Sequence, residues 1–331
     1  MDRREFICVL GAIAASFPLT AQAEEKGRLR RVGVLMFYSE NDTLGHARLK
    51  VFEESLEKLG WADGKNVSIE VRWSGADAER TQRFAKELVG WQPDVIVTTS
   101  TPTTAAVRRE TRTTPIVFTV VSDPIGEGFV QNLARPDGNI TGFVNFEPSL
   151  AGKWLSLLKE IDPRVLRVAG LFNPDAAPDG GSYFYRAFEA AARDIAITPF
   201  LNPVRSDGEI GSAISAVANE PGAGLVVMAD SFMAVHRGTV IEQAARHRVP
   251  AVYPFRSAAA DGGLLSYGPE VPELFRQVAP YVDRILKGAQ PSGLPVQAPT
   301  KFELVINLQT AKSLGLDAPA TLLARADDVI E

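Results

Sequence analysis

Pro93-Asp94-Val95-Ile96-Val97-Thr98-Thr99-Ser100-Thr101-Pro102-Thr103-Thr104 passes from a turn, through a short β-branched apolar run, into a cluster of hydroxyl side chains around a proline. The apolar run reads as a strand, and Pro102 suits the first turn of a helix, where its missing N–H costs nothing. Ser100 and Thr101 are of the residue types that cap helix N-termini. The stretch is therefore a strand that runs directly into a helix, which is half of a β-α-β unit.

Working outward, the same unit recurs. Residues 31–37 read as a short buried strand, and in 44–59 Leu49, Phe52, Leu56 and Leu59 recur at helical spacing before Gly60, placed where a helix C-cap belongs. Val67, Ile69, Val71 and Trp73 alternate as a strand does, and 76–89 restores the helical period. Residues 116–121 and 140–143 continue the alternation. After about residue 148 the rhythm restarts, with strand candidates at 168–172, 224–228, 251–253 and 264–267. The expected fold is α/β: two doubly wound, parallel-sheet lobes. No low-complexity tether separates the halves, so short crossing segments forming a hinge should join them.

Composition narrows the function. The 331 residues are 45% hydrophobic, enough for two domains. The net charge is −5 and no dense basic run follows the first few residues, so nucleic acid is not the expected partner. A single cysteine, Cys8, excludes disulfides and cysteine-ligated metals, and His46, His236 and His247 have no metal-site spacing. Neither a metal nor a cofactor is expected.

Arg3 and Arg4 precede an apolar run, 6–19, that ends in Ala21-Gln22-Ala23. This pattern is that of a signal peptide, residues 1–23, cleaved after Ala23, and Arg3-Arg4-Glu5-Phe6 matches the twin-arginine export motif. The run is shorter than the ~20 residues a spanning helix needs. Cys8 stands near its start, whereas lipid attachment would need it at the cleavage point. A free periplasmic protein is expected.

Residues 299–331, beginning Pro299-Thr300-Lys301-Phe302-Glu303-Leu304 and ending Leu323-Ala324-Arg325-Ala326-Asp327-Asp328-Val329-Ile330-Glu331, closely resemble the C-terminal signature of the ABC transporter substrate-binding family with the type I periplasmic-binding fold. That family includes binders of tryptophan, phenylalanine and tyrosine. The likeness extends through 281–288, 262–268, Ser122-Asp123-Pro124-Ile125-Gly126 and Gly138-Asn139-Ile140-Thr141-Gly142, and so covers essentially the whole mature chain. It implies a three-crossover hinge, with one lobe from 28–145 plus 269–298 and the other from 146–268 plus 299–331. It also implies a monomer that presents a small solute to a membrane permease and carries out no chemistry. The chain departs from the amino-acid-binding members after Phe172: they resemble Glu, one residue, Asn, Ser there, where this chain reads Asn173-Pro174-Asp175.

In open α/β sheets ligands bind beyond the carboxyl ends of the strands. The hydroxyl loop, with Ser100, Thr101 and Thr103 at a helix N-terminus, is a candidate holder of a carboxylate. Ser122 and Asp123 end the next strand, although Asp before Pro is also a turn former. Asn173 and Asp230 lie at the strand ends of the second lobe. Asp230 could meet an amine, or cap the helix entered near Phe232. Phe37, Tyr38, Tyr253 and Tyr267 fall near strand ends and could stack on a ring, as could Phe172 and Tyr183, with core packing as the alternative role. The expected ligand is a small organic solute, aromatic or carboxylate-bearing.

An enzyme would need a nucleophile with its base, paired carboxylates or a metal cluster, and no such motif occurs. A transcription regulator of the same architecture would need an N-terminal helix-turn-helix, for which the chain has no room. A sensory protein that delivers its ligand to a membrane receptor remains the alternative to import. Intact-mass measurement of exported protein should give a chain beginning at Glu24; a retained Met1 would refute the cleavage.

Overall fold

The computed structural model describes residues 28–331, so the signal-peptide reading of 1–23 lies outside the described residues. The first sheet contains β1 (Arg30–Met36), β2 (Val67–Trp73), β3 (Val95–Thr98), β4 (Ile116–Val121) and β5 (Ile140–Val144), in the order β2-β1-β3-β4-β5 with every pair parallel. Strands β1, β3, β4 and β5 are largely buried on both faces, which is why they read as apolar runs, whereas the edge strand β2 is only partly buried and alternates. Val34, Val95, Val97 and Val117 face one core, together with α1 (Thr43–Lys58). Leu35, Ile96, Ile116 and Phe118 face another, with α2 (Ala78–Gly90) and α3 (Thr101–Glu110).

The second sheet has seven strands. They are β6 (Arg167–Phe172), β7 (Thr198–Pro203), β8 (Ala223–Val227), β9 (Ala251–Tyr253), β10 (Leu265–Pro269), β11 (Phe302–Asn307) and β12 (Asp328–Ile330), in the order β12-β11-β10-β9-β8-β6-β7. Helices α4 (Ser149–Ile161) and α5 (Ser182–Ala192) cover one face, and α6 (Asp207–Ala218) and α8 (Arg237–Arg246) the other, with the short α7 (Ser231–Val235) before α8. Trp154 of α4 is fully buried and donates from Nε1 to the Tyr267 carbonyl at 2.7 Å.

The chain crosses between the lobes three times. After β5 it enters α4 on the second sheet. After β10 and the short α9 (Arg256–Ala260) that precedes it, α10 (Val271–Leu286) returns to pack on α1 and the first core. Gln297 then pairs with the edge of β5, accepting from Val144 at 2.9 Å and donating to Gly142 at 3.0 Å, before β11 rejoins the second sheet. Short α11 (Leu308–Leu314) and α12 (Ala320–Leu323) precede β12.

The second sheet departs from the parallel expectation at one pair: β11 runs antiparallel to β10, with Pro269 opposite Phe302. The crossings explain it. The chain leaves the sheet at the carboxyl end of β10 and comes back at that same end, so the returning strand must run the other way. Strands β7, β11 and β12 have no counterpart in the sequence reading. β7 is partly exposed along its length and contains Pro199, Asn202 and Pro203, so it lacks the buried apolar run that reveals its neighbours.

Gly268 sits where β10 passes the end of β9. A Cβ there would fall 1.8 Å from the Pro254 carbonyl oxygen, backbone against backbone. Gly268→Ala should therefore destabilise the protein by about 2 kcal/mol in denaturant unfolding, whereas Gly293→Ala, which meets nothing within 4 Å, should be close to neutral.

Candidate functional site

The carboxyl ends of the strands from both sheets meet between the lobes. Phe37, Ser100, Thr101 and Val120 of the first lobe face Ala176, Ala229, Asp230, Ser231, Ala234 and Phe255 of the second across a cavity of about 10 Å3, room for about one water. The lobes touch around it. Ser122 donates to the Ala229 carbonyl at 3.4 Å, the Asp179 amide donates to Glu127, and Arg237 reaches across to Asp42 at 3.3 Å while its Nε holds Asp261.

On the first lobe, Ser100 caps α3 in a reciprocal arrangement with Thr103. The Ser100 hydroxyl accepts from the Thr103 amide, and Thr103 Oγ1 accepts from the amides of Ser100 and Thr99. Thr103 Oγ1 also donates to the Ser100 carbonyl and lies 3.0 Å from the Ser100 hydroxyl, so both hydroxyls are engaged within the loop, contrary to its simplest reading. Thr101 differs: its hydroxyl has no partner among the described residues, and its amide belongs to the first turn, whose N–H groups no intrahelical carbonyl can satisfy. Beside this loop Val120 has φ 57°, a left-handed conformation that costs a β-branched residue about 1–3 kcal/mol, at an irregularity in the β4–β5 pairing. Strain of this kind, on the wall of a cleft, is typical of ligand sites.

On the second lobe, Asp230 caps α7. Its Oδ1 accepts from Met233 at 2.8 Å and its Oδ2 from the Asn173 amide at 2.9 Å, which ties the ends of β6 and β8 together. It is 4% exposed, and burial pushes its carboxyl up to about 7, the backbone amides of Met233, Asn173 and Phe232 only partly opposing that rise. Asn173 is spent structurally: its Oδ1 accepts from Asp175 and Ala176, and its Nδ2 donates to Val204.

The remaining sequence candidates fall elsewhere. Tyr38 lies behind Phe37, stacked on it at 4.0 Å. Ser122 hydrogen-bonds Asn145 as well as spanning the lobes. Asp123 accepts from Gly126 in a turn. Tyr253 is 2% exposed within the second lobe's core, where burial raises its hydroxyl pKa. Tyr267 packs on Phe302 and under Lys153. None of these five lines the cavity. Phe255 does, although the sequence reading did not single it out; it stands two residues beyond the end of β9, the same position that marked the other candidates.

A family model described as ABC transporter substrate binding protein matches residues 31–330. The chain belongs to that family. The chain is 24% identical over 277 residues to a tyrosine-binding protein of Clostridioides difficile, covering 84% of this chain and 79% of the relative. It superposes on a Streptococcus pneumoniae domain solved in complex with L-Trp with a TM-score of 0.84, at 26% identity over 92% of this chain and all of the other. A ligand-free, open Clostridium difficile substrate binding protein with adhesive properties gives a TM-score of 0.66, at 24% identity over 91% of this chain and 99% of the other. This family of ABC substrate-binding proteins is one of solute binders, and no helix of the described residues is long and apolar enough to cross a membrane.

Asp230 makes stability depend on pH. An unfolded aspartate ionises near 3.9, whereas the folded one holds its proton to about 7. Between these values unfolding releases a proton, so stability falls as pH rises through the window and is lowest above it. Unfolding at pH 5 and pH 7 should show the wild type losing about 2 kcal/mol relative to Asp230→Asn. Parallel pH profiles would contradict this.

Proposed function

We propose that this chain is the extracytoplasmic solute-binding component of an ABC importer and performs no catalysis. Residues 28–145 and 269–298 form one moving lobe, and 146–268 and 299–331 the other. Its solute is a small aromatic, carboxylate-bearing molecule, and tryptophan and tyrosine are the first candidates. The observation that carries this reading is the juxtaposition of Thr101, at the start of α3, with Asp230 across the strand-end cleft, beside Phe37 and Phe255. A helix N-terminus with a spare hydroxyl suits a carboxylate. A buried carboxyl suits an ammonium group, and the two phenylalanines suit a ring.

The cavity is smaller than any such solute, so binding requires the lobes or Phe255 to move. The better superposition on the L-Trp complex than on the open, ligand-free structure, at nearly equal identity, supports reading this arrangement as closed. The relatives' ligands support an aromatic amino acid, and Asp230 supplies the counter-charge that the altered loop after Phe172 does not.

An ammonium group beside Asp230 would favour its ionised form, so binding should release a proton and tighten as pH rises from 5.5 to 8. Calorimetric titration with L-tryptophan and L-tyrosine tests this directly. Asp230→Asn should cost about tenfold to a hundredfold in affinity, the worth of one charge-assisted hydrogen bond, and Ser100→Ala with Thr101→Ala should weaken it as well. If neither amino acid binds, or both substitutions leave affinity unchanged, the reading fails.

A further inference from the structure

The interface between the lobes holds a second space. A cavity of about 540 Å3 opens where the chain passes from β10 to α10. Leu44 and Arg48 of α1 and Val271 and Pro272 of α10 form one side, and Phe255 with the first turns of α9 forms the other. Phe255 is the one residue shared with the strand-end cleft.

Arg48 is 6% exposed, and its Nε and Nη1 have no hydrogen-bond partner. What it does touch is the face of Tyr38, with the guanidinium carbon 5.6 Å from the ring centre. A buried guanidinium without an acceptor is costly, and a cation–π contact recovers only part of that cost. The other two arginines on the wall are answered within the protein, Arg256 by Glu303 and Asp328 and Arg276 by Glu273. Glu270 also lines the cavity, but among the described residues no carboxylate forms an ion pair with Arg48.

We propose that this cavity binds a carboxylate carried on a small apolar or aromatic body. Arg48 turns its guanidinium, now enclosed over Tyr38, into the cavity to donate to the carboxylate, and Leu44, Phe255, Val271 and Pro272 pack on the body. A single negative charge fits better than a phosphate, because Glu270 and Glu303 share the wall and one unanswered cation is all it offers. The walls come from both lobes, so an occupant favours the closed arrangement. The site shares only Phe255 with the strand-end cleft, and a failure of the benzoate test would leave the amino-acid titrations standing.

Thermal unfolding of the purified protein at fixed ionic strength, with chloride, acetate, benzoate or inorganic phosphate, tests the site. Benzoate should raise the wild-type midpoint saturably, by about 5 °C at a hundredfold excess over its dissociation constant, and acetate and phosphate should do less. Arg48→Met should lose the benzoate response and melt no lower than wild type in chloride, since it removes an unanswered buried charge. Arg48→Lys should keep part of the response. The proposal is overturned by equal benzoate shifts in wild type and Arg48→Met, or by no wild-type shift beyond chloride. It is equally overturned if phosphate outperforms benzoate, or if Arg48→Met melts several degrees lower in chloride, which would mean that the protein itself answers the charge.

Discussion

The junction of the two lobes depends on how buried polar groups at the strand ends find partners. Several loops that leave the parallel strands there carry buried polar groups, and each of these groups needs a partner. Asp230 does the most of this work. By accepting from Met233 it starts α7, and by accepting from Asn173 it fixes the loop after β6 against the end of β8. Because the carboxylate is almost fully buried, the connection holds an ionisable group near neutrality. Ser100 and Thr103 play the matching part on the other lobe, closing a reciprocal cap at α3.

This accounting separates residues that build the cleft from residues able to receive a solute. Asn173, Thr103 and Ser122 have their hydrogen bonds committed within the protein. Thr101 does not, and Asp230, though committed to amides, holds a carboxyl whose ionisation burial makes expensive. Val120 adds backbone strain at the same wall. A cleft built in this way is rigid where it caps its helices and open to a partner at few points, as specific recognition of a small molecule requires.

The architecture was legible because parallel strands buried on both faces write themselves as apolar runs. β3, β4, β6, β8 and β9 were found in that way, and Gly60, with φ 95°, stands just past the end of α1 as its type implied. β7 escaped because it is a half-exposed edge strand with two prolines, β11 because it follows a crossing rather than a helix, and β12 because it is three half-buried residues at the edge of the sheet. Among the candidate residues, Phe37, Ser100, Thr101 and Asp230 reached the cleft because position at a strand end is a local property. Tyr253 and Tyr267 did not, since which face of the sheet a terminal side chain takes depends on register, and register is set by neighbours far away in the sequence.

Arg48 marks the limit of that legibility most clearly. On α1 it stands four residues after Leu44 and four before Phe52, so the helical period puts it on the buried face of α1, but no local pattern shows whether a basic side chain there meets a partner. Tyr38 covers one side of its guanidinium, and the return of α10 beside α1, with Phe255 brought over by β9, encloses the space next to it. The elements around this charge come from distant parts of the chain, and no window of the sequence contains them all. The same crossings that reverse β11 and pair Gln297 with β5 thus also create the second space between the lobes. Topology, more than composition, decides which polar groups of this protein are left without an internal partner.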